Sequence, residues 1–156
     1  AISEVVATFN ECRTLSQFSK IIISNACLIM EAQTCILRLI HDSSGRLGVY
    51  DKFSFLTPDI LQDIEALDEI LIEDLITSKK PLLIPDIHDS NYREENAPCS
   101  SVLSMYLMSR NRIIGTLSLF DKKSNSMPDA DRFTSSDKDV FLSYCLQVSN
   151  HLQRMV

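Results

Sequence analysis

Two apolar segments that follow one another in the chain, SVLSMYL at residues 101–107 and RIIGTLSLFD at residues 112–121, decide the fold. Both are rich in β-branched and large apolar residues, which is typical of strands in a protein core. The polar segment Ser109-Arg110-Asn111 between them is short enough to be a turn. The two segments therefore predict neighbouring antiparallel strands of one sheet.

Helical and strand periodicities predict the other elements. A capping box of Thr14 with Gln17 marks the start of one helix, and Thr57-Pro58 marks the start of another. The final helix is predicted to be capped by Ser135 or Ser136. The predicted helices lie at residues 2–12, from 15 onward, 58–66, 67–77 and from 135 to the last residue. The other predicted strands lie at 34–40 and 46–56, joined by a turn at 42–45, and between the helix at 67–77 and the loop that begins at residue 86.

The order of these elements predicts an α+β fold with three layers, in which an antiparallel sheet lies between helices. Residues 86–100 form a long polar loop without periodicity, and such loops in compact domains are often lids or binding elements. We expect residues 1–156 to form a single domain. Its terminal helices, at 1–12 and 135–156, are expected to continue into linkers of a larger protein.

Composition argues against several classes of function. The formal net charge is -6 and the 15 Lys and Arg residues are scattered, which argues against a nucleic-acid partner. No segment approaches the ~20 apolar residues that span a bilayer. The cysteines contain no C-x-x-C pair, which predicts reduced thiols in a cytoplasmic protein without a metal site. They are Cys12, Cys27, Cys35, Cys99 and Cys145.

Residues 57–77 are strongly acidic, with no cation before Lys79. We predict a negatively charged solvent face, and the alternative is a docking surface for a basic partner. The acidic residues are Asp59, Asp63, Glu65, Asp68, Glu69, Glu73 and Asp74.

Three motifs together resemble the GAF domain, a sensory ligand-binding module. They are KPLLIPD at residues 80–86, Ser-x-Leu-x-Met-x-Leu at 101–107 and Ile-Ile-Gly-x-Leu-x-Leu at 113–119, with Tyr106 where the family usually has Pro. The resemblance covers the chain from about Leu15 to Met155. It implies a sheet of about five to six strands, with the terminal helices on one face and a helix and the long loop forming a pocket on the other.

The positions after the last strand are similar to a signature of cyclic-nucleotide-binding GAF domains. Lys122, Phe133 and Asp137 match it, whereas Asp121 and Lys138 occupy its Asn and Glu positions. We interpret the three matching residues as a structural clamp between the strand end and the final helix. Bilin-binding relatives need a Cys followed by His, and this dipeptide does not occur here. We therefore expect no covalent chromophore and no other cofactor.

Alternation along the strand at residues 112–121 separates two faces. One face is purely apolar and is expected to pack on the terminal helices, and the other mixes polarity as a cavity wall does. The first set is Ile113, Gly115, Leu117 and Leu119, and the second is Ile114, Thr116, Ser118 and Phe120.

The candidate ligand-binding residues are Arg38, Tyr92, Met105, Thr116 and Ser118. The resemblance implies that Arg38 faces the pocket, where we expect its guanidinium to bind a carboxylate or other anion in a bidentate contact. Thr116 and Ser118 would supply hydrogen bonds, Tyr92 would close over the ligand, and Met105 would line the wall. The alternative for Arg38 is an ion pair with a nearby acidic residue. The sequence leaves open which face of the strand at 101–107 meets the pocket.

The resemblance implies a small-molecule-sensing regulatory domain of a signal-transduction protein. Such a domain would dimerise through its terminal helices and pass the binding event to a covalently attached output domain. Two alternatives remain open: an enzyme similar to GAF-fold free methionine sulfoxide reductases, using Cys99, and a ligand-free dimerisation scaffold whose pocket is filled by residues such as Met105 and Phe120. We expect the domain itself not to be an enzyme.

Overall fold

The computed structural model describes residues 7–40, 44–94, 96–123 and 132–155. The helices are α1 (Leu15–Met30), α2 (Pro58–Ser78) and α3 (Ser135–Leu152), and the strands are β1 (Ala32–Ile40), β2 (Leu47–Ser54), β3 (Leu82–Ile84), β4 (Val102–Ser109) and β5 (Arg112–Lys122), with a short 3₁₀ helix at Ile87–Asp89. Residues 7–9 are also helical. Residues 10–12, predicted to be helical, lie outside the helix. Residues 2–6 of the predicted first helix, the first half of the predicted turn at 42–45 and most of the predicted loop before α3 lie outside the described residues.

The strands form one antiparallel sheet in the order β2-β1-β5-β4-β3. The hairpin between β4 and β5, predicted from the sequence, turns through Arg110 and Asn111, whose φ angles are 50° and 64°. A two-residue turn with both central residues at positive φ has the twist that an antiparallel hairpin requires. The sheet thus has β5 at its centre, between β1 and β4.

The helices α1 and α3 pack on one face of the sheet, which we call the terminal-helix face. Its core is a large apolar cluster of buried side chains from both helices and from alternate residues of β1, β4 and β5. Phe9, from the helical residues 7–9, lies in this cluster against the rings of Phe18 and Tyr144. The cluster comprises Phe9, Phe18, Ile22, Ile23, Ala26, Cys27, Met30, Ala32, Cys35, Leu37, Leu39, Leu103, Leu107, Ile114, Leu117, Leu119, Phe133, Phe141, Tyr144, Cys145, Val148 and Leu152.

Helix α2 and the loop at residues 86–100 cover the opposite face, which we call the α2 face. The apolar cluster there is smaller, and it includes residues of the loop itself. It comprises Ile36, Ile64, Leu71, Ile84, Ile87, Cys99, Val102 and Phe120. The three-layer arrangement expected from the sequence is therefore confirmed.

Two details of the helices differ from the predictions. The two helices predicted at residues 58–66 and 67–77 form a single helix, α2, because no Gly or Pro interrupts the pattern between Pro58 and Ser78. The cap of α3 is Thr134 rather than Ser135 or Ser136. The Thr134 hydroxyl accepts a hydrogen bond from the Asp137 amide at 3.2 Å, and the Asp137 carboxylate accepts one from the Thr134 amide at 2.9 Å.

The predicted faces of β5 are confirmed for Leu117 and Leu119, which lie in the terminal-helix cluster, and for Phe120, which lies in the α2-side cluster. Ile114 is an exception, because it lies in the terminal-helix cluster. The pairing with β4 shifts there, so that β5 carries one extra residue at a bulge. A bulge of this kind reverses the side on which the next residue points, and alternation alone does not reveal it.

Gly115 follows this bulge and lies against the backbone of β1. A Cβ atom at this position would lie 2.5 Å from the Arg38 carbonyl oxygen and 2.8 Å from the Leu39 side chain. Only glycine fits without displacing the backbone of β1. The Gly of the Ile-Ile-Gly motif therefore helps to hold β1, and with it Arg38, against β5.

Candidate functional site

Arg38 lies in the middle of β1 and points to the α2 face, where only 5% of it is exposed. Its Nε donates a hydrogen bond to Asp68 Oδ2 at 2.7 Å, and its Nη2 donates one to the Glu65 backbone carbonyl at 3.0 Å. The structure therefore gives Arg38 an internal carboxylate, as in the alternative considered from the sequence. An anionic ligand for Arg38 stays a prediction, and such a ligand would compete with Asp68.

Asp68 was predicted on the solvent face of α2, and this prediction is wrong because its side chain is fully buried. Ile64, Leu71 and Leu75 are the buried apolar residues around it on the same helix. Their spacing from Asp68 is four, three and seven residues, which places Asp68 within the apolar stripe of α2. That spacing is the sequence signal by which the residue could have been found. A charge in such a stripe needs a partner on the facing element, and Arg38 is that partner.

Three hydroxyl side chains of the sheet lie beside this ion pair. Thr116 is the cross-strand neighbour of Arg38, and Ser118 is the cross-strand neighbour of both Ile36 and Ser104. The Ser104 and Ser118 hydroxyls are hydrogen-bonded to each other at 2.7 Å. All three hydroxyl residues are almost completely buried. We call Arg38, Asp68, Ser104, Thr116 and Ser118 the polar cluster.

Two atoms of the polar cluster are buried without a hydrogen-bond partner. They are Asp68 Oδ1 and Thr116 Oγ1, and they are the buried side-chain polar atoms of this kind in the described part of the chain. Each such atom costs about 1–3 kcal/mol relative to a satisfied one. Burial raises the pKa of Asp68, whereas the Ser118 hydroxyl and the Arg38 guanidinium oppose that shift. The site can therefore supply a hydrogen-bond acceptor and a hydroxyl to a polar molecule.

The predicted site residues are not all together. Thr116 and Ser118 lie beside Arg38 as predicted, whereas Met105 packs against the terminal-helix cluster on the other face of the sheet. Ser104, the preceding residue, faces the polar cluster instead. The sequence left this register open, and the structure places Met105 away from the other four residues.

Tyr92 lies in the long loop and connects it to α2. Its hydroxyl donates a hydrogen bond to the Asp74 carboxylate. Burial and Asp74 raise the pKa of Tyr92 to about 12, so that it remains a donor at neutral pH. Its ring packs against the α2-side cluster. Tyr92 therefore closes the loop over the α2 face, although it contacts Asp74 rather than the polar cluster.

The two ends of the long loop are also held in place. The Ile87 amide donates to the Ser100 carbonyl at 2.7 Å, and Arg132 forms an ion pair with Asp86 at 3.1 Å. Asp121, at a φ of 61°, accepts hydrogen bonds from the Ser100 and Ser101 amides at 2.6 and 3.0 Å. Burial raises the pKa of Asp121, and these two amides oppose the shift. Sequence reasoning noted Asp121 only as a departure from the family signature, and the structure shows that it joins β5 to the end of the loop.

The predicted clamp residues come together at the start of α3. Lys122 Nζ lies 2.6 Å from Asp137 Oδ1, and the Phe133 ring is buried. The Phe133 amide donates to the Ser101 hydroxyl at 3.0 Å. These contacts link the end of β5 and the start of β4 to the beginning of α3.

Cys99, the thiol considered for a reductase, is 4% exposed. Burial and the nearby Asp121 raise its pKa to about 12, and a thiol that stays protonated is a poor nucleophile. Among the described residues there is no group of His, Cys, Asp or Glu side chains that could hold a metal ion. No described helix is both long and apolar enough to cross a bilayer.

The fold and this site define an α+β domain in which helices cover both faces of an antiparallel sheet, and comparison with known proteins gives the family. The family model described as GAF domain matches residues 14–152, so the chain belongs to the GAF domain family. Comparison with curated proteins finds no significant match.

Several solved structures share the fold. The GAF domain of an Acinetobacter phosphoenolpyruvate-protein phosphotransferase has a TM-score of 0.74 at 16% identity, covering 98% of this chain and 90% of that one. The corresponding GAF domain from Coxiella burnetii has a TM-score of 0.68 at 11% identity, with coverages of 98% and 90%. Residues 122 to 287 of a methyl-accepting chemotaxis protein have a TM-score of 0.70 at 11% identity, with coverages of 96% and 95%. At these identities the likeness concerns the fold.

Proposed function

We propose that this GAF domain is a sensor module of a signal-transduction protein, without catalytic activity of its own, that binds a small polar molecule at the polar cluster. The observation that carries the proposal is the pair of buried, unpartnered atoms Asp68 Oδ1 and Thr116 Oγ1. Native proteins rarely leave such atoms unsatisfied, and a bound molecule is one of the ways in which they are satisfied. Solved structures of similar fold include part of a methyl-accepting chemotaxis protein, which supports a signalling role.

The chemistry of the cluster favours a neutral or cationic ligand that donates a hydrogen bond. Asp68 already neutralises the Arg38 guanidinium at 2.7 Å, so an added anion would find no net positive charge at the cluster. Asp68 Oδ1 can accept a hydrogen bond, and the Thr116 hydroxyl can donate or accept one. An amine or amide group carries the hydrogen-bond donors that both oxygens can accept. Entry of a ligand requires the long loop to open, which breaks the hydrogen bond between the Tyr92 hydroxyl and the Asp74 carboxylate.

The route from the site to the terminal helices runs through β5 and β4. Thr116 alternates with Leu117, which packs in the terminal-helix cluster. At the far end of β4, the Met108 amide donates to the Ser149 hydroxyl of α3 at 3.2 Å. A shift of β5 would therefore move α3. In a dimer formed through the terminal helices, that movement would change the angle at which the helices cross, and the change would be transmitted to an attached output domain.

Native mass spectrometry of the freshly purified protein tests this proposal. We expect a co-purifying mass that is lost on denaturation, and thermal shifts with a panel of small amines, amides, amino acids and organic acids. A ligand at 100 times its Kd stabilises a protein by about 2.7 kcal/mol. Thr116→Val should abolish the shift, because it removes the hydroxyl and keeps the shape. Thr34→Val is the matched control and should retain the shift, since the Thr34 hydroxyl is hydrogen-bonded to Ser54.

A dimerisation scaffold is the second candidate, and the filling of the α2 face favours it. Phe120 and Ile36 are fully buried between the sheet and α2, and Ile87 and Cys99 of the loop fill the same cluster. A protein with no bound mass, no thermal shift with any compound of the panel and a stable dimer in sedimentation would have this function instead. A monomer at high concentration that still binds a ligand would argue against the scaffold.

A further inference from the structure

Ser101, the residue directly before β4, is fully buried and contacts three separate parts of the fold. Its amide donates a hydrogen bond to Asp121 Oδ1 at 3.0 Å, and its carbonyl accepts one from the Asp121 amide at 2.8 Å. Its hydroxyl donates to the Ile84 carbonyl at 3.1 Å and accepts from the Phe133 amide at 3.0 Å. These partners lie at the end of β5, at the end of β3 and immediately before α3. Each polar group of Ser101 therefore joins one element to another.

The Ser101 hydroxyl is the middle member of a chain of two hydrogen bonds. The chain runs from the Phe133 amide through the hydroxyl to the Ile84 carbonyl, and both bonds are buried. The hydroxyl has a single hydrogen, and its donation to Ile84 leaves the oxygen lone pairs to accept from Phe133. Hydrogen bonds in such a chain strengthen one another. A shift of the Ile84 carbonyl therefore weakens the bond that holds the Phe133 amide.

Both ends of the long loop meet at this point. Ile84 ends β3 just before the loop begins, and Ser101 directly follows the last residue of the loop. The two ends are also bonded to each other, because the Ile87 amide donates to the Ser100 carbonyl at 2.7 Å. A movement of either end of the loop therefore acts on Ser101 or on the carbonyl to which its hydroxyl is bonded.

An ion pair at the surface joins the same two segments. Arg132 Nη2, from the residue before Phe133, lies 3.1 Å from Oδ2 of Asp86 at the start of the loop, and the two side chains are 59% and 19% exposed. An exposed pair of this kind contributes little to stability, and salt weakens it. We therefore expect the buried hydroxyl of Ser101, rather than the ion pair, to transmit movement between the loop and α3.

We propose that Ser101 is a positioning residue that couples the long loop to the start of α3, so that opening of the loop loosens the first turn of that helix. The proposal rests on the proposed function, in which the loop opens to admit a ligand. Phe133 directly precedes Thr134, the cap of α3, so loss of its hydrogen bond frees the chain on which the capping box is built. This route leads to the beginning of α3, whereas the route through Met108 and Ser149 leads to a point near its end.

Hydrogen-deuterium exchange of the whole chain, measured by mass spectrometry without any ligand, tests the coupling. Tyr92→Phe removes the hydrogen bond to Asp74 and so loosens the loop. Introduced into the parent protein, this change should raise the exchange rate of residues 133–140 by roughly fivefold, the effect of losing about one hydrogen bond. Residues 114–119 of β5 should keep their exchange rate, which distinguishes a local change from unfolding of the whole domain.

Ser101→Ala removes the connection between the loop and α3. It should raise the exchange rate of residues 133–140 by itself, and Tyr92→Phe added to it should raise that rate no further. A residue with only a structural role would give two independent increases, so the missing second increase is the signature of coupling. Ser19→Ala is the matched control, because Ser19 is 1% exposed and its hydroxyl is bonded to Asp51 at 2.9 Å. In that background, Tyr92→Phe should keep its full effect on residues 133–140.

The proposal is overturned if Tyr92→Phe leaves the exchange rate of residues 133–140 unchanged in the parent protein. It is also overturned if the increase is the same with Ser101→Ala as without it. Arg132→Gln removes only the surface ion pair, and the proposal is likewise overturned if that variant abolishes the increase. The comparisons in the parent protein and with Arg132→Gln decide the matter where Ser101→Ala does not fold. Because no ligand is used, failure of the proposed function and failure of the coupling are separate results.

Discussion

The two faces of the sheet are built from the same strands but have different interiors. On the terminal-helix face, Cys35, Leu37 and Leu39 of β1 enter a large apolar cluster. On the α2 face, Ile36 enters a smaller cluster and Arg38 enters a buried network with Asp68. The first face gains its stability from apolar burial, roughly 25 cal/mol per Å². The second holds a charged pair and two unpartnered atoms, and burying such groups carries a desolvation cost.

Removing one member of the buried ion pair should produce the largest effect. Arg38→Met leaves the Asp68 carboxylate without its partner, and breaking a buried pair in this way costs about 3–5 kcal/mol. The free energy of unfolding, measured by urea denaturation, should fall by that amount. The reason lies in the burial of both groups, with side-chain exposures of 6% and 0%.

The double variant Arg38→Met with Asp68→Leu is the control for this prediction. It removes both charges together, so that it should recover most of the lost stability. If the single and double variants are equally unstable, the loss comes from packing. The contrast between a polar and an apolar face would then be wrong.

Thr116→Val should stabilise the protein, whereas Arg38→Met destabilises it. In protein freed of any bound molecule the Thr116 hydroxyl is buried without a partner, so its replacement by a methyl group removes a desolvation cost of about 1–3 kcal/mol and stabilises the protein. Thr34→Val is the matched variant at another buried position, where the hydroxyl is bonded to Ser54 at 2.8 Å, and it should destabilise by about 1 kcal/mol. The thermal unfolding midpoints of the two variants, compared with that of the parent protein, measure these effects. The prediction is wrong if both midpoints shift in the same direction.

The layers of the fold were predictable from the sequence because they depend on local periodicity. The strands around Leu117 and Leu119 and the cap at Thr14 are set by neighbouring residues, and the structure has them as predicted. The bulge at Ile114 and the continuity of α2 depend on how strands and helices fit together. The predicted face of Ile114 and the predicted division of α2 into two helices were therefore wrong.

The candidate site was predictable only in part. Thr116 and Ser118 follow from alternation along β5, but the partner of Arg38 is 30 residues away on α2. Met105 was placed with these residues although the register of β4 puts Ser104 there. A pairing between distant elements leaves no spacing signal in one sequence, except for the position of Asp68 within an apolar stripe.

Tyr144 provides a smaller test of the terminal-helix face. Its hydroxyl is buried, but it donates to the Ile22 carbonyl at 2.7 Å, so this face leaves its polar group satisfied. Tyr144→Phe should cost about 1 kcal/mol, the net worth of one hydrogen bond. Tyr50→Phe is the exposed control and should change the unfolding midpoint in urea very little. If Tyr144→Phe lowers the free energy of unfolding as much as Arg38→Met does, the two faces do not differ in the cost of losing a buried polar contact.

The smallest expected effect is a difference in pH dependence. Burial raises the pKa of Asp68 in the folded state above the ordinary value of 3.8, so the folded protein holds this proton more tightly than the unfolded chain does. The contribution of Asp68 to stability is therefore complete below pH 3.8 and is lost as the pH rises through the folded-state pKa.

Asp68→Asn removes this titration and should flatten the fall in the free energy of unfolding over that range of acidic pH. Asp121, whose pKa is raised in the same direction, is present in both proteins and cancels in the difference. Urea denaturation of both proteins at a series of pH values measures the two slopes. If the free energy of unfolding varies with pH in the same way in both proteins, Arg38 and Ser118 fully offset the effect of burial on the pKa of Asp68. The α2 face would then carry no electrostatic cost that the terminal-helix face lacks.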